Sequence, residues 1–310
     1  MNVMSSFSSE VKHELARLPI ERDCCARAEL GGLFRMGAAL TLGAGHALGA
    51  AFTTEHAAVA RRAFVLLKQA GILRAEVAMR RFRRLGKNNS YLLRIPPGAG
   101  VEALIEAAGI SLDPQQAPPH GSAFLRRACC RVAYLRGAFL AGGSVNRPEA
   151  SYHLEFATTN YQFAELLHSL LKRLDFPAGL TGRKEDYVVY LKEGDAILDF
   201  LAMLGAEEAA TAFEAARNVK DVRNQVNRLV NCETANLSKT AAAAAKQIAV
   251  IRELAAAGKL ARLAPGLRET AEARLAYPEA SLSELGELLG LGRSGVNHRL
   301  RRIMDVAAEA

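Results

Sequence analysis

The stretch YLRGAFLAGGSVN, Tyr134 to Asn146, decides the fold. Its apolar spacing is that of a helix, Gly142-Gly143 ends the helix, and Ser144-Val145 leads into a strand. Ala133, Gly137 and Ala141 recur every four residues, so they share one helical face that carries almost no side chain. Such a face lets two backbones approach closely. The chain supplies a partner in ELGGLFRMGAAL, Glu29 to Leu40, where Ala28 and Gly32 begin the same stripe.

The two stretches align at a single offset. Leu30 corresponds to Leu135, Gly32 to Gly137, Phe34 to Phe139 and Gly37 to Gly142, each pair 105 residues apart, and Cys24-Cys25 stands in the same relation to Cys129-Cys130. Farther on, Thr53-Thr54 resembles Thr158-Thr159, and SYLLRI at 90–95 resembles DYVVYL at 186–191. A duplicated unit of this kind predicts helix, strand pair, helix, strand pair, helix, twice over. The expected fold class is a pseudo-twofold α+β domain with its two repeated helices packed together at the axis. The proline-rich PQQAPPHG at 114–121 reads as the linker between a first repeat at 1–113 and a second at 122–205.

From Ala206 onward the strand signal disappears. An amphipathic run over 207–231 predicts a connecting helix within 206–231, and a break at Asn236-Leu237-Ser238 predicts a separate helix over 237–257, stopped by Gly258. The remainder of 232–310 carries a helix-turn-helix pattern. Ser281 with Glu284 forms a capping box, Gly290-Leu291-Gly292 makes the turn, and Gly286 is the small residue expected where the next helix crosses. Val296, Leu300 and Ile303 give that next helix its buried side. Its exposed positions are Arg293, Ser294, Asn297, His298, Arg301 and Arg302, and none is acidic. The second helix of such a motif lies in the major groove, where Arg pairs with guanine and Asn with adenine.

LRGAFLAGG at 135–143 and LGGLFRMGA at 30–38 resemble the paired signature helices of LAGLIDADG homing endonucleases. In that family the penultimate motif residue is an acid that holds a divalent metal for phosphodiester cleavage. Here the positions are Gly37 and Gly142, which offer no ligand oxygen, and no nearby acid replaces them in register. No catalytic residue is therefore expected. The resemblance also implies DNA contact through basic strands. MRRFRRLGKNN at 79–89 offers Arg80, Arg81, Arg83, Arg84 and Lys87 as auxiliary contacts, though the same run reads equally as a solubilising edge strand.

Composition is compatible with a DNA partner. The 310 residues carry a net charge of +8 and are half apolar, sufficient for a large core. No window approaches the roughly 20 apolar residues of a membrane helix, so the cytoplasm is the expected location and no membrane partner is expected. Five cysteines in two adjacent pairs and a lone Cys232 lack the spacer usual between metal ligands and read as small buried thiols. Neither metal, cofactor nor small-molecule substrate is expected.

Nearly the whole chain, from SSFSSEVKHELARL at 5–18 through NRLVNCETANLSKT at 227–240, resembles the WhiA family of bacterial sporulation and cell-division regulators. The resemblance implies a sequence-specific regulator bound to double-stranded promoter DNA and associated with the nucleoid. It further implies a link to cell division and chromosome segregation, a second regulatory protein as partner class, and no nuclease activity. Two other readings stay open on the residues: an active endonuclease, which needs the missing carboxylates, and a protein-interaction scaffold with weak, non-specific DNA binding.

Overall fold

The structure, a computed structural model, describes residues 6–43, 47–72, 74–80, 89–108 and 125–308. They divide into two compact units, Met1–Lys220 and Asp221–Ala310.

The first unit opens with α1 (Phe7–Leu15), capped by the Ser6 side chain. The first repeat follows as α2 (Asp23–Gly37), β1 (Ala38–Leu42), β2 (Leu48–Thr54), α3 (Ala57–Gln69), β3 (Glu76–Arg80), β4 (Ser90–Ile95) and α4 (Ala99–Ala108). The second repeats the order as α5 (Ala128–Gly142), β5 (Gly143–Val145), β6 (Leu154–Thr158), α6 (Tyr161–Lys172), β7 (Gly179–Arg183), β8 (Asp186–Leu191) and α7 (Gly194–Leu204). The predicted duplication is thus present element by element. Each repeat folds into a four-stranded antiparallel sheet, in the orders β1-β2-β4-β3 and β5-β6-β8-β7. The linker expected at 114–121 lies outside the described residues.

One face of each sheet is buried under helices and aromatic rings. Phe34 of α2 packs on Phe52 of β2 with ring centroids 5.8 Å apart, and its counterpart Phe139 of α5 packs on Phe156 of β6 at 6.0 Å. Strand alternation sends Ala50, Phe52, Leu93 and Ile95 into the core and leaves Ala51, Thr53, Leu92 and Arg94 on the other face.

The helix α8 (Glu207–Ala256) runs for 50 residues without the break expected at Asn236-Leu237-Ser238. Isolated Asn and Ser cost only some ~0.7 kcal/mol each in a helix interior. Five alanines, Ala241 to Ala245, follow directly, and the Thr240 hydroxyl donates back to the Asn236 carbonyl at 2.9 Å without interrupting the helix.

In the second unit, the end of α8 meets α9 (Pro265–Ala276), α10 (Leu282–Leu289) and α11 (Arg293–Ala308) around a small core of Ile251, Leu254, Ala271, Leu285, Val296, Leu300 and Ile303. The expected capping box is formed: Ser281 Oγ accepts from the Glu284 amide and Glu284 Oε2 from the Ser281 amide. Gly290 closes α10 in the left-handed region at φ 63°. Gly286 is required by the turn, not by the crossing helix as the sequence suggested. A β-carbon there would stand 2.5 Å from the Leu291 carbonyl oxygen.

Candidate nucleic-acid interface

Two places inherit the sequence expectations, the foot of the paired helices and the exposed face of α11. At the first, α2 and α5 run side by side in the same direction. A β-carbon on Gly32 would overlap the carbonyl of Tyr134, and one on Gly137 would overlap the carbonyl of Glu29. The two contacts exchange under the 105-residue offset, which makes the pseudo-twofold axis a property of the packing itself. At the foot, Gly37 lies against Phe52 and Ala141, and Gly142 against Met36. The positions where the endonuclease resemblance calls for acids are therefore filled by neighbouring side chains.

The buried acid on these helices is Glu29, placed near their middle, and it is fully engaged. Arg62 of α3 donates to both its oxygens, at 2.6 and 2.9 Å, and Arg136 of α5 approaches at 3.4 Å while also donating to the Leu204 carbonyl. Arg62 further donates to the Leu18 carbonyl. Its charge is already matched by two guanidinium groups, whose positive charge would also repel a metal cation. Sequence reasoning missed this cluster because Arg62 lies 33 residues from Glu29 and no motif connects them.

Of the expected basic run, Arg80 is the one basic residue among those described. On the outer face of the first sheet, Arg80 and Arg94 are the basic residues among those described, and Arg94 stands in register with Glu76 of β3. Arg81, Arg83, Arg84 and Lys87 lie outside the described residues. In the second sheet, Glu155 pairs in register with Tyr190, whose ring stacks with His153 at 6.0 Å and carries Lys192 Nζ at 4.5 Å. His153 Nε2 and Glu155 Oε2 are 2.9 Å apart.

On α11, the core residues Val296, Leu300 and Ile303 are fully buried and orient the helix. Arg293, Ser294, His298, Arg301 and Arg302 are exposed, and Asn297 is half-buried. Spacings of one, four and five residues place the six in two adjacent stripes along about 13 Å of helix. Arg299 lies off this face. It donates to the Gly266 carbonyl at 3.0 Å and faces Glu269 at 3.7 Å, tying α11 to α9. Arg274 of α9, almost wholly buried, donates to the Ala280 carbonyl at 2.6 Å and holds the approach to α10. The first turn of α11 contains no acid, so its positive helix end is uncompensated.

A third grouping was not anticipated. Cys24 and Cys25 occupy the first turn of α2, and Cys129 and Cys130 that of α5. The four sulfurs lie within 4.8 Å of one another. Burial pushes the Cys25 thiol up to about 11 and the Cys130 thiol up to about 12. Hydrogen bonding, first with Cys130 and then with Cys25 and Arg127, draws Cys24 below the ordinary thiol value. The signal was the 105-residue offset, which weighing each pair alone leaves unused.

Among the described residues no helix is long and apolar enough to cross a membrane. Comparison with known proteins accounts for almost every element. Residues 23–111 match the WhiA N-terminal LAGLIDADG-like domain, 131–223 the WhiA LAGLIDADG-like domain and 226–307 the WhiA C-terminal HTH domain. A probable cell division protein WhiA of Heliobacterium modesticaldum is 47% identical over 308 residues, covering 97% of this chain and 96% of its own. One from Brevibacillus brevis is 45% identical over 311 residues, covering 97% and 96%. The crystal structure of full-length DUF199/WhiA from Thermatoga maritima superposes with a TM-score of 0.57 at 26% identity, covering 98% of each chain. With three consecutive domains matched and near-complete coverage of relatives at such identity, the chain belongs to the WhiA family.

Proposed function

We propose that this protein is a non-catalytic, sequence-specific DNA-binding regulator of cell division and chromosome segregation, acting at promoters on the nucleoid. The observation that carries the reading is the acid-free face of α11, held outward by a buried Val296-Leu300-Ile303 edge and anchored by Arg299. Arg293, Ser294 and Asn297, nearest the helix N-terminus, meet base edges. His298, Arg301 and Arg302 contact bases farther along or the phosphates that fix the register. The division role follows from the relatives, which are named as probable cell division proteins. The loss of both acids and the full engagement of Glu29 support a non-catalytic repeat domain. For the repeat domain, Glu76 and Glu155 on the outer sheet faces support contact with a second regulatory protein, and the basic run Arg80 to Lys87 supplies the candidates for auxiliary phosphate contacts.

The test is a salt-resolved titration of full-length protein against genomic fragments that include the region upstream of its own reading frame. One fragment should stand out near physiological salt. Arg293→Ala with Asn297→Ala should then reduce its advantage by about 1–3 kcal/mol per lost base contact, roughly 5- to 150-fold each. Arg301→Ala and Arg302→Ala should weaken all fragments and flatten the salt slope. Equal, weak binding to every fragment that collapses as salt rises would replace this reading with the interaction scaffold.

A further inference from the structure

The four cysteines at the head of the paired helices form a closed set with the properties of a metal site. We propose that Cys24, Cys25, Cys129 and Cys130 bind one zinc ion as a structural tetrathiolate that clasps the two repeats together. The site lies in the repeat domain, apart from the α11 face, and does not depend on how DNA is read.

Geometry is the first support. Zinc–sulfur bonds of about 2.3 Å in a tetrahedron place the sulfurs about 3.8 Å from one another. The adjacent pairs already stand at 4.0 Å, and no pair of the four exceeds 4.8 Å. Side-chain rotation closes the remainder. Adjacent cysteines make a poor site alone, but here each helix supplies one edge of the tetrahedron and the pseudo-twofold axis supplies the other. A polynuclear iron–sulfur core would hold its thiolates farther apart.

Electrostatics is the second. Binding releases four thiol protons to solvent and leaves a complex of charge −2, which must be compensated. Both helices begin at this point, and neither N-cap, Arg22 nor Arg127, makes a side-chain capping bond. Two helix N-termini with amides uncapped by side chains therefore lie beside the sulfurs, that of α5 with no acid in its first turn and that of α2 with Asp23. Arg127 Nη1 lies 3.9 Å from Cys24 Sγ and adds a full positive charge. Access is the third. A cavity of about 340 Å³ is bordered by Cys25, Cys129, Ile20 and Val132, so an ion reaches the cluster without unfolding the helices.

The consequence is a covalent-strength bridge across 105 residues of sequence, at the opposite end of the helix pair from the glycine foot. Where an active relative would hold its metals between the helix feet, this chain would hold one between the helix heads, in a structural role.

The experiment is zinc quantification by mass spectrometry on full-length protein purified under reducing, metal-replete conditions, followed by replacement with Co²⁺. One zinc per chain is expected, and the cobalt form should show the intense ligand-field and sulfur-to-cobalt charge-transfer bands of a tetrahedral tetrathiolate. Cys24→Ser with Cys129→Ser should lose both, whereas Cys232→Ser, an exposed cysteine outside the cluster, should retain them. Protein that holds no zinc overturns the proposal, as does zinc retained by the double variant. Acid-labile sulfide with visible absorption would mean an iron–sulfur centre instead. If the double variant fails to fold, the wild-type cobalt spectrum decides alone: an oxygen- or nitrogen-ligand spectrum sinks the assignment.

Discussion

The methyl carbon of Met36 lies 2.5 Å from the point where a β-carbon on Gly142 would stand, so a side chain of the first helix fills the foot of the second. The mirrored position, Gly37, faces the Phe52 ring at 2.7 Å. The loss of the two acids is thereby built into the packing. Gly37→Asp with Gly142→Asp should restore no Mg²⁺-dependent nicking of supercoiled plasmid. Met36 is unbranched, and a change of rotamer can move both its methyl and its Cγ, 2.9 Å from the same point on Gly142, whereas Phe52 is fixed in the core against Phe34. Gly37→Ala should therefore cost more than Gly142→Ala, about 1–3 kcal/mol by denaturant unfolding. Metal-dependent nicking above wild type would show that the foot opens.

Higher on the same helices, Gly137 admits no side chain at all. A β-carbon there overlaps the Glu29 carbonyl and stands 2.8 Å from the Leu33 amide nitrogen, both main-chain atoms that cannot turn aside. Alanine gains about 1 kcal/mol of helix propensity over glycine, so Gly137→Ala tests which effect wins. Overpacking should dominate, with a net loss of at least 1–2 kcal/mol and a lower midpoint in urea. Gly182→Ala in β7, with nothing within 4 Å, serves as the neutral comparison.

The repeat, its helices and the helix-turn-helix were legible because each rests on local periodicity or a fixed offset. Both Ser90–Ile95 and Asp186–Leu191 emerge as strands over the residues whose likeness marked them. What stayed hidden depends on groups that sequence separates. Arg62 reaches Glu29 only once α3 has packed on α2, and the four sulfurs meet only once the repeats have paired. The break placed at Asn236 failed for a different reason: two poor helix formers were weighed without the alanine run that follows them.

The Glu29–Arg62 pair is almost fully buried, with side chains 2% and 5% exposed. Removing one partner strands the other charge away from water. Arg62→Met should cost about 3–5 kcal/mol, although Arg136 remains close enough to Glu29 to soften the loss. Glu29→Gln with Arg62→Met should recover part of that cost. A double variant as unstable as the sum of its singles would show that the two do not act as a pair.

In the second unit, the Ser281 backbone amide, ahead of the Ser281 side chain, holds the Glu284 carboxyl below the usual carboxylate range. A depressed folded value means that the contribution is present above the unfolded carboxylate pKa and is lost as pH falls through the folded one. The cap should therefore weaken only in acid. Ser281→Ala should cost about 1 kcal/mol at neutral pH. Glu284→Gln should match wild type most closely at the acid end of a melting-temperature series and diverge from it toward neutrality. A constant difference across that series would remove Glu284 from the titration.

Lys12 of α1 is 8% exposed, with its ammonium 6.0 Å from the Phe139 ring centroid. Burial lowers it from 10.5 to about 8. Because the folded value is the lower one, the charge is carried in both states below pH 8 and the full burial penalty opposes folding there. Between about 8 and 10.5 the folded protein loses the proton first and gains stability, and above 10.5 the penalty is gone. Lys12→Met removes the charge and keeps an unbranched chain in the same space. It should stabilise the protein by on the order of 2–3 kcal/mol at pH 7, after allowing for a weak cation–π contact, with the gain shrinking as pH rises. Urea unfolding of both proteins at pH 7 and again near pH 10 measures the difference directly. A stabilisation that does not change with pH would place its origin in packing rather than in the buried charge.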